Sequence, residues 1–300
     1  MPPNTQSQLT SLLDNTVLAR LQRLRINTSR RFTDRRRGEN LAGRSGASNE
    51  FSDYRDYVEG DDVRFVDWNI FARLHRPYMK LYREEEEMHV AILVDASNSM
   101  RFEGKLARAR QLAAAFGVMG LLGTERVSVH VLNTRGDAPT SLPPSRGRAS
   151  MMKLFAFLEW IQEGGDQTLD GGVDQFLKRH TGRGVTVLLS DFLTAGDLHR
   201  TFNRLFSAGQ EVFAVQILGP TEIAPEVSGD SRFVDSETEQ TLDVSCNADL
   251  LQLYHEYRLG LKHELGELLR QRGGRFLFTG ASDPLEEILF GQMRRGGWLQ

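Results

Sequence analysis

An apolar run, Val90-Ala-Ile-Leu-Val94, stops at Asp95 and is followed at alternate positions by Ser97 and Ser99, before a helical pattern begins at about Glu103. A second run, Val185-Thr-Val-Leu-Leu-Ser190, is β-branched and again ends on an acid, Asp191. Short apolar strands alternating with helix-length segments predict an α/β fold with a mainly parallel sheet and right-handed crossovers. In such sheets ligands bind outside the carboxyl ends of the strands. One carboxylate and two hydroxyls gathered there make a partial shell for a hard cation such as Mg²⁺ or Mn²⁺. The plainer alternative is that Asp95 and Ser97 cap the following turn and helix.

The rest of the chain fits the same alternation. Glu103–Leu122 reads as a helix with one largely apolar face, Val127–Leu132 as a strand, and Met151–Ile161 and Gly171–His180 as helices. Glu211–Ile217 is a fourth strand, Pro220–Gly229 a loop, and residues 231–245 a hairpin inserted into the α/β order. Asp249–Arg272 is a long helix ended by Gly273-Gly274. Arg275–Thr279 is the last strand and Pro284–Arg294 the last helix. Between the two acid-ended strands, the loop Gly164–Gly172 offers Thr168 just before a helix.

With 300 residues there is ample chain for a core, and the formal charge of −3 points to neither nucleic acid nor membrane surface. A lone cysteine, Cys246, excludes an internal disulfide and any Cys-based zinc site. The longest apolar stretch, Leu112–Gly123, is about half of the roughly twenty residues a membrane span needs. Asp14 and scattered arginines interrupt the amino terminus, so no signal peptide is expected. A cytoplasmic protein without a membrane span is the expectation. Residues 9–26 carry Leu12, Leu13, Val17, Leu18, Leu21 and Leu24 at helical spacing, predicting one packed helix. The arginines that follow, Arg30, Arg31, Arg35, Arg36 and Arg37, read either as a phosphate patch or as a solvated connector that can pair with Glu84–Glu87. The balanced overall charge and the lack of aromatics beyond Phe32 favour the connector, with no nucleic-acid partner.

Asp95-x-Ser97-x-Ser99, then Thr168, then Asp191 resemble, in order, the metal-ion-dependent adhesion site of von Willebrand factor A-type domains. The resemblance implies direct contact of Ser97, Ser99 and Thr168 with the metal, and contact of Asp95 and Asp191 through water. One position would remain open, which in that family a partner's carboxylate often fills. Asp166 and Asp170 lie near the same loop, Asp170 being equally plausible as a helix N-cap.

A second segment, residues 38–86, is rich in Gly and charge and holds aromatic anchors. Gly60-Asp61 signals a turn. Arg55, Arg64 and Arg73 stand among Asp53, Asp56, Asp61, Asp62 and Asp67, so bidentate arginine–carboxylate pairs are expected. The segment reads as a small clasp packed on Trp68 and its tyrosines. Arg55, Tyr57, Gly60-Asp61-Asp62, Arg64, Asp67-Trp68 and Ala72-Arg73 resemble the signature of the bacterial family called domain of unknown function 58, with Val66 where Ile is usual. Phe233-Val-Asp-Ser-Glu-Thr, with Leu242 and Val244, resembles that family's late hairpin. The likeness spans about residues 38–295. It implies work as a partner or adaptor of a MoxR-type AAA+ ATPase, or of another von Willebrand A-type protein, in a chaperone-like or assembly system. The organisation expected is therefore an amino-terminal helix and basic connector over 1–37, the signature clasp over 38–86, and a von Willebrand A-like domain over 87–300 with its hairpin at about 228–246.

The chain holds no G-x-S-x-G elbow, P-loop, H-E-x-x-H or G-x-G-x-x-G, and its seven histidines are dispersed. A metal-dependent, non-enzymatic protein-binding module is the expectation. Two alternatives stay open: a hydrolase using the same metal to activate water, and a scaffold in which the ion only stiffens loops.

Overall fold

The computed structural model describes residues 8–28, 33–34, 50–85, 88–123, 125–133, 140–162, 164, 168–180, 182–194, 196–225, 229–234, 241–246 and 248–300. The chain forms two compact units, one of Met1–Ser29 with Met88–Gln300 and one of Arg30–Glu87. Its elements run α1 (Asn15–Leu21), β1 (Thr33–Asp34), β2 (Glu50–Asp56), α2 (Trp68–Leu74), β3 (Tyr78–Glu85), β4 (His89–Asp95), α3 (Lys105–Leu122), β5 (Arg126–Leu132) and β6 (Ser141–Ser145). They continue with α4 (Met151–Trp160), α5 (Leu169–Arg179), β7 (Gly184–Ser190), α6 (Leu198–Ser207), β8 (Gln210–Leu218) and α7 (Pro220–Ile223). The last are β9 (Gly229–Val234), β10 (Thr241–Cys246), α8 (Ala248–Gln271), β11 (Arg275–Gly280) and a π-helical turn, Glu287–Met293.

The larger unit is a mixed α/β structure on a six-stranded sheet of order β11-β8-β7-β4-β5-β6. All neighbours are parallel except β6, which runs antiparallel to β5. The order reverses at β4: the chain leaves it for β5 on one side and later returns to β7 on the other. That reversal opens a crevice beyond the carboxyl end of β4, where Asp95 sits.

Side chains alternate across the strands, so each face of the sheet collects its own helices. Ala91, Leu93, Leu188, Val212 and Ala214 face one way and pack with Val173 and Phe176 of α5, Phe202 and Leu205 of α6, and Leu265 and Leu269 of α8. Val90 and its alternate neighbours face the other way, toward α3. Apart from its first turns, α3 is buried nearly all round because the sheet, α4 and α1 cover different sides of it. Each Leu, Val, Met or Phe buried there contributes about 1.5–3 kcal/mol of transfer free energy. Gly120 makes the approach possible: a Cβ there would lie 2.6 Å from Cγ2 of the stiff Val127 side chain.

Several boundaries differ from the sequence expectation for visible reasons. The helix expected over 9–26 is realised only as α1, because beyond Leu21 the chain turns and Ile26 bridges Leu299, with Arg25 and Gln300 exchanging backbone hydrogen bonds. The helix expected from Glu103 starts at Lys105, since Glu103 and Gly104 take left-handed φ angles of 51° and 76°. The loop after β8 opens with the single turn α7. Strand β6 and helix α6 were not anticipated, although Asp197 caps α6 by accepting from the Arg200 N–H. β9 and β10 pair antiparallel as the expected hairpin. The arginines of 30–37 and Asp166 lie outside the described residues.

The smaller unit holds an antiparallel sheet of order β1-β3-β2. α2 lies between β2 and β3 in sequence and starts at Asp67, whose carboxylate accepts from the N–H groups of Asn69 and Ile70. No helix among the described residues is long and apolar enough to cross a membrane.

Candidate metal centre

Asp95 ends the central strand and is 3% exposed. Its Oδ1 accepts from the Ser97 N–H at 3.0 Å and from Nδ2 of Asn133 at 3.1 Å, and its Oδ2 from the Ser190 hydroxyl at 2.6 Å. Burial, reinforced by the nearby Asp191 charge, raises the Asp95 pKa against the pull of those donors. Ser97 is buried and opens a 3₁₀ turn, Asn98–Gly104. Its hydroxyl lies 3.0 Å from that of half-buried Ser99. Asp191, immediately after β7, is 2% exposed. Its Oδ1 accepts from the Leu193 N–H at 3.0 Å, and its Oδ2 lies 2.8 Å from Nζ of Lys105.

Four of the five expected ligands thus share one sheet edge. The fifth is placed differently. Thr168 is exposed at the N-cap of α5, where its hydroxyl makes no capping bond. Its loop does reach the centre: the Gly164 N–H donates to the Ala96 carbonyl at 2.9 Å. Asp170 sits in the first turn of α5 rather than at the cap, and its Oδ1 is buried without a hydrogen-bond partner.

Hydroxyl and carboxylate oxygens are the donor types a hard divalent ion takes. Two cis ligands on an octahedral Mg²⁺, each at roughly 2.1 Å, stand about 3 Å apart. The Ser97 and Ser99 hydroxyls, which share a hydrogen bond, stand 3.0 Å apart. Among the described residues no group of three or more His, Cys, Asp or Glu is placed to hold a metal.

Sequence reasoning missed the groups that hold those carboxylates. Lys105, the first residue of α3, is fully buried, with Nζ bridging Asp191 Oδ2 and, at 2.5 Å, Glu222 Oε1. Burial pushes its pKa down, but the two carboxylates outweigh it and hold the ammonium above the ordinary lysine value. Glu222 also accepts from the Gly219 N–H at 2.7 Å, and its carbonyl accepts from the Tyr254 hydroxyl at 2.6 Å. A signal for Lys105 existed: it precedes Ala109, Leu112 and Phe116 at helical spacing on a buried face. Asn133 and Ser190 likewise flank strand ends at the same edge.

The signature residues of the smaller unit form local pairs. Arg55 donates both terminal nitrogens to Asp61, at 2.6 and 2.7 Å, and Asp61 also accepts from the Val58 N–H. Gly60 sits in that turn at φ +105°, open only to glycine. Arg64 pairs with Asp62 at 2.6 Å. Asp67 is buried and accepts from the Tyr54 hydroxyl and from Lys80, both at 3.1 Å. Tyr57 is half-buried and Arg73 exposed. Trp68 is not an inner anchor as expected: it is 57% exposed and makes a T-shaped contact with Phe71.

The chain matches the family described as Protein of unknown function DUF58 over residues 53–260, and it belongs to that family. It is similar to the Uncharacterized protein Rv1480 of Mycobacterium tuberculosis, with 28% identity over 232 residues, 75% of this chain and 72% of the relative. Among solved structures it is similar to the conserved hypothetical protein BatB of Bacteroides thetaiotaomicron, with 16% identity, 70% of this chain and 98% of that one, and a TM-score of 0.43. An aerotolerance-related membrane protein of Bacteroides fragilis gives 17% identity, 69% and 99% coverage, and a TM-score of 0.40. The expectation of a cytoplasmic protein is corrected here. Similar structures carry the names of membrane proteins, and the assignment to the cytoplasm is withdrawn.

Proposed function

We propose that this chain is a divalent-cation-dependent protein-binding module of von Willebrand A type. The observation that carries this reading is the Ser97–Ser99 hydroxyl pair, 3.0 Å apart beside buried Asp95 at the switch point of a parallel sheet. Ser97 and Ser99 offer oxygens directly, with Thr168 brought in from the α5 loop. Asp95 and Asp191 stand behind them and would act on the ion through water. A Mg²⁺ or Mn²⁺ ion held there would supply Lewis acidity toward a carboxylate oxygen of a partner protein.

A binding role suits the site better than hydrolysis. Asp95 and Asp191, the carboxylates that could serve as a general base, already accept from fixed donors, and Asp191 from an ammonium. The partner we propose is a MoxR-type AAA+ ATPase, or another von Willebrand A-type protein, in a chaperone-like or assembly system. That part rests on the signature resemblance of Arg55–Arg73.

The test is calorimetric titration of Mn²⁺ into chelator-stripped full-length protein beside a Ser97→Ala/Ser99→Ala variant, followed by partner binding with and without the metal. Saturable binding lost in the variant, together with a partner interaction abolished by chelator, is expected. Partner binding indifferent to both chelator and the serines would overturn the reading.

A further inference from the structure

Lys105 is a lysine with no exposed surface, set among acids. Its ammonium lies 2.8 Å from Asp191 Oδ2 and 2.5 Å from Glu222 Oε1. A buried cation persists only where carboxylates hold it, so Lys105 and its two acids form one unit. Asp95, Asp191 and Glu222 are the acids of this cluster, and Lys105 is the cation set against them, in contact with Asp191 and Glu222. Glu222, 23% exposed at its side chain, draws part of the ammonium's field away from Asp191. Neutral groups donate to Asp95 and Asp191 as well: the N–H groups of Ser97 and Leu193, the Asn133 amide and the Ser190 hydroxyl. The ligand oxygens supplied by Ser97 and Ser99 are also neutral. Lys105 therefore offsets part of the carboxylate charge with which these side chains would meet a divalent ion, and Glu222 takes up a share of that offset.

We propose that Lys105 is a built-in counter-charge that keeps the centre from holding a divalent cation tightly by itself, so that cation and partner carboxylate bind cooperatively. This rests on the metal-dependent reading above and adds the regulation of that site. The partner's carboxylate restores negative charge that Lys105 offsets, so ion and partner favour each other's binding, and that coupling is reciprocal. Lys105 is a positioning residue here. It sets the charge on Asp191 and touches neither ion nor partner.

The experiment is calorimetric titration of Mn²⁺ into chelator-stripped full-length protein, in chloride and in sodium acetate at equal ionic strength. Acetate stands in for the partner's carboxylate. Wild type is expected to bind Mn²⁺ weakly in chloride and more tightly in acetate. Lys105→Met removes the like charge and should tighten binding in chloride roughly tenfold, even with strong solvent screening, and blunt the acetate effect. Glu222→Gln leaves the ammonium wholly to Asp191 and should weaken binding several-fold. This variant alters a part-exposed group and keeps the test decisive if Lys105→Met does not fold. Equal or weaker binding by Lys105→Met, or unchanged or tighter binding by Glu222→Gln, overturns the proposal. If Ser97→Ala/Ser99→Ala abolishes binding while those shifts are missing, the metal reading stands and the role of Lys105 falls. No Mn²⁺ binding by any form in either salt overturns both.

Discussion

The two units treat their acidic side chains in opposite ways. In the smaller unit Asp61 and Asp62 are only partly covered, and each pairs with an arginine within six residues of sequence. At the sheet edge Asp95 and Asp191 are nearly inaccessible. Each keeps a backbone donor two residues on, but their side-chain partners include distant ones: Lys105 is 86 residues from Asp191, and Ser190 is 95 from Asp95. Exposed ion pairs contribute little to stability because water competes for both charges. A buried carboxylate is costly unless each donor stays in place. The first arrangement staples a turn. The second builds a centre whose charge is fixed by the fold.

The largest effect should therefore come from removing one buried donor. Ser190→Ala leaves Asp95 Oδ2 without its 2.6 Å hydrogen bond. It should lower the urea midpoint by the equivalent of about 1–3 kcal/mol. Restoring Ser at the position should restore the midpoint, and adding Mn²⁺ should not fully compensate, since Ser190 is not among the proposed ligands. A loss no greater than that of an exposed alanine substitution would remove the distinction between the two regions.

The same contrast explains what was legible in the sequence. Strands β4 and β7 announced themselves as β-branched runs ending on acids, and the D-x-S-x-S spacing placed Ser97 and Ser99 together because both lie on one turn. The Arg55–Asp61 pair was legible for the same reason: both members lie in one short segment. Lys105, Asn133 and Ser190 were not, because each becomes part of the centre only once parallel strands bring separate loops to one edge. Trp68 was misread because an aromatic residue in a signature segment suggests packing, while its short helix buries Asp67 rather than the indole. Glu103 was placed in a helix because periodicity carries no mark of a left-handed φ.

A pH series would sharpen the comparison further. On β4 and β5, His89 and His130 both lie within hydrogen-bond distance of the Ser128 hydroxyl, at 2.9 and 3.1 Å, and His180 packs against His89. Burial, then the charges of His180, Arg126 and His130, pushes His89 down to about 3. Burial, then His180 and Arg179, pushes His130 down to about 4. Below the ordinary histidine pKa of about 6.5 the unfolded chain takes up protons that the folded one refuses, so the larger unit loses stability as pH falls from there toward 4. The slope is at most about 1.4 kcal/mol per pH unit for each such histidine. In the smaller unit the window lies lower. Arg55 and Arg64 lower the pKa values of Asp61 and Asp62, so their contribution holds down to the ordinary value of 3.8 and is lost only below it. Hydrogen exchange on the full chain from pH 6.5 to 4.5, corrected for intrinsic rates, should show protection falling in β4 and β5 but not in β2 and β3. His89→Gln should flatten the first slope. Equal losses in both sheets would count against this account.

The smallest effect expected separates two pairs inside the clasp. Arg55 and Asp61 are 29% and 16% exposed at their side chains, and Asp61 also closes the turn by accepting from the Val58 N–H. Arg64 and Asp62 are 74% and 37% exposed. Asp62 additionally accepts from the Arg64 backbone N–H at 3.0 Å, a bond that survives loss of the guanidinium. Arg55→Ala should therefore loosen the turn around Gly60 and speed cleavage after Glu59 by a glutamate-specific protease. Arg64→Ala should leave that cleavage rate unchanged, because the backbone bond that shapes its turn is still made. Both variants should keep the melting transition of the larger unit where it is. If Arg64→Ala opened the turn as much as Arg55→Ala, the exposed pair would be holding structure that its exposure and geometry do not account for.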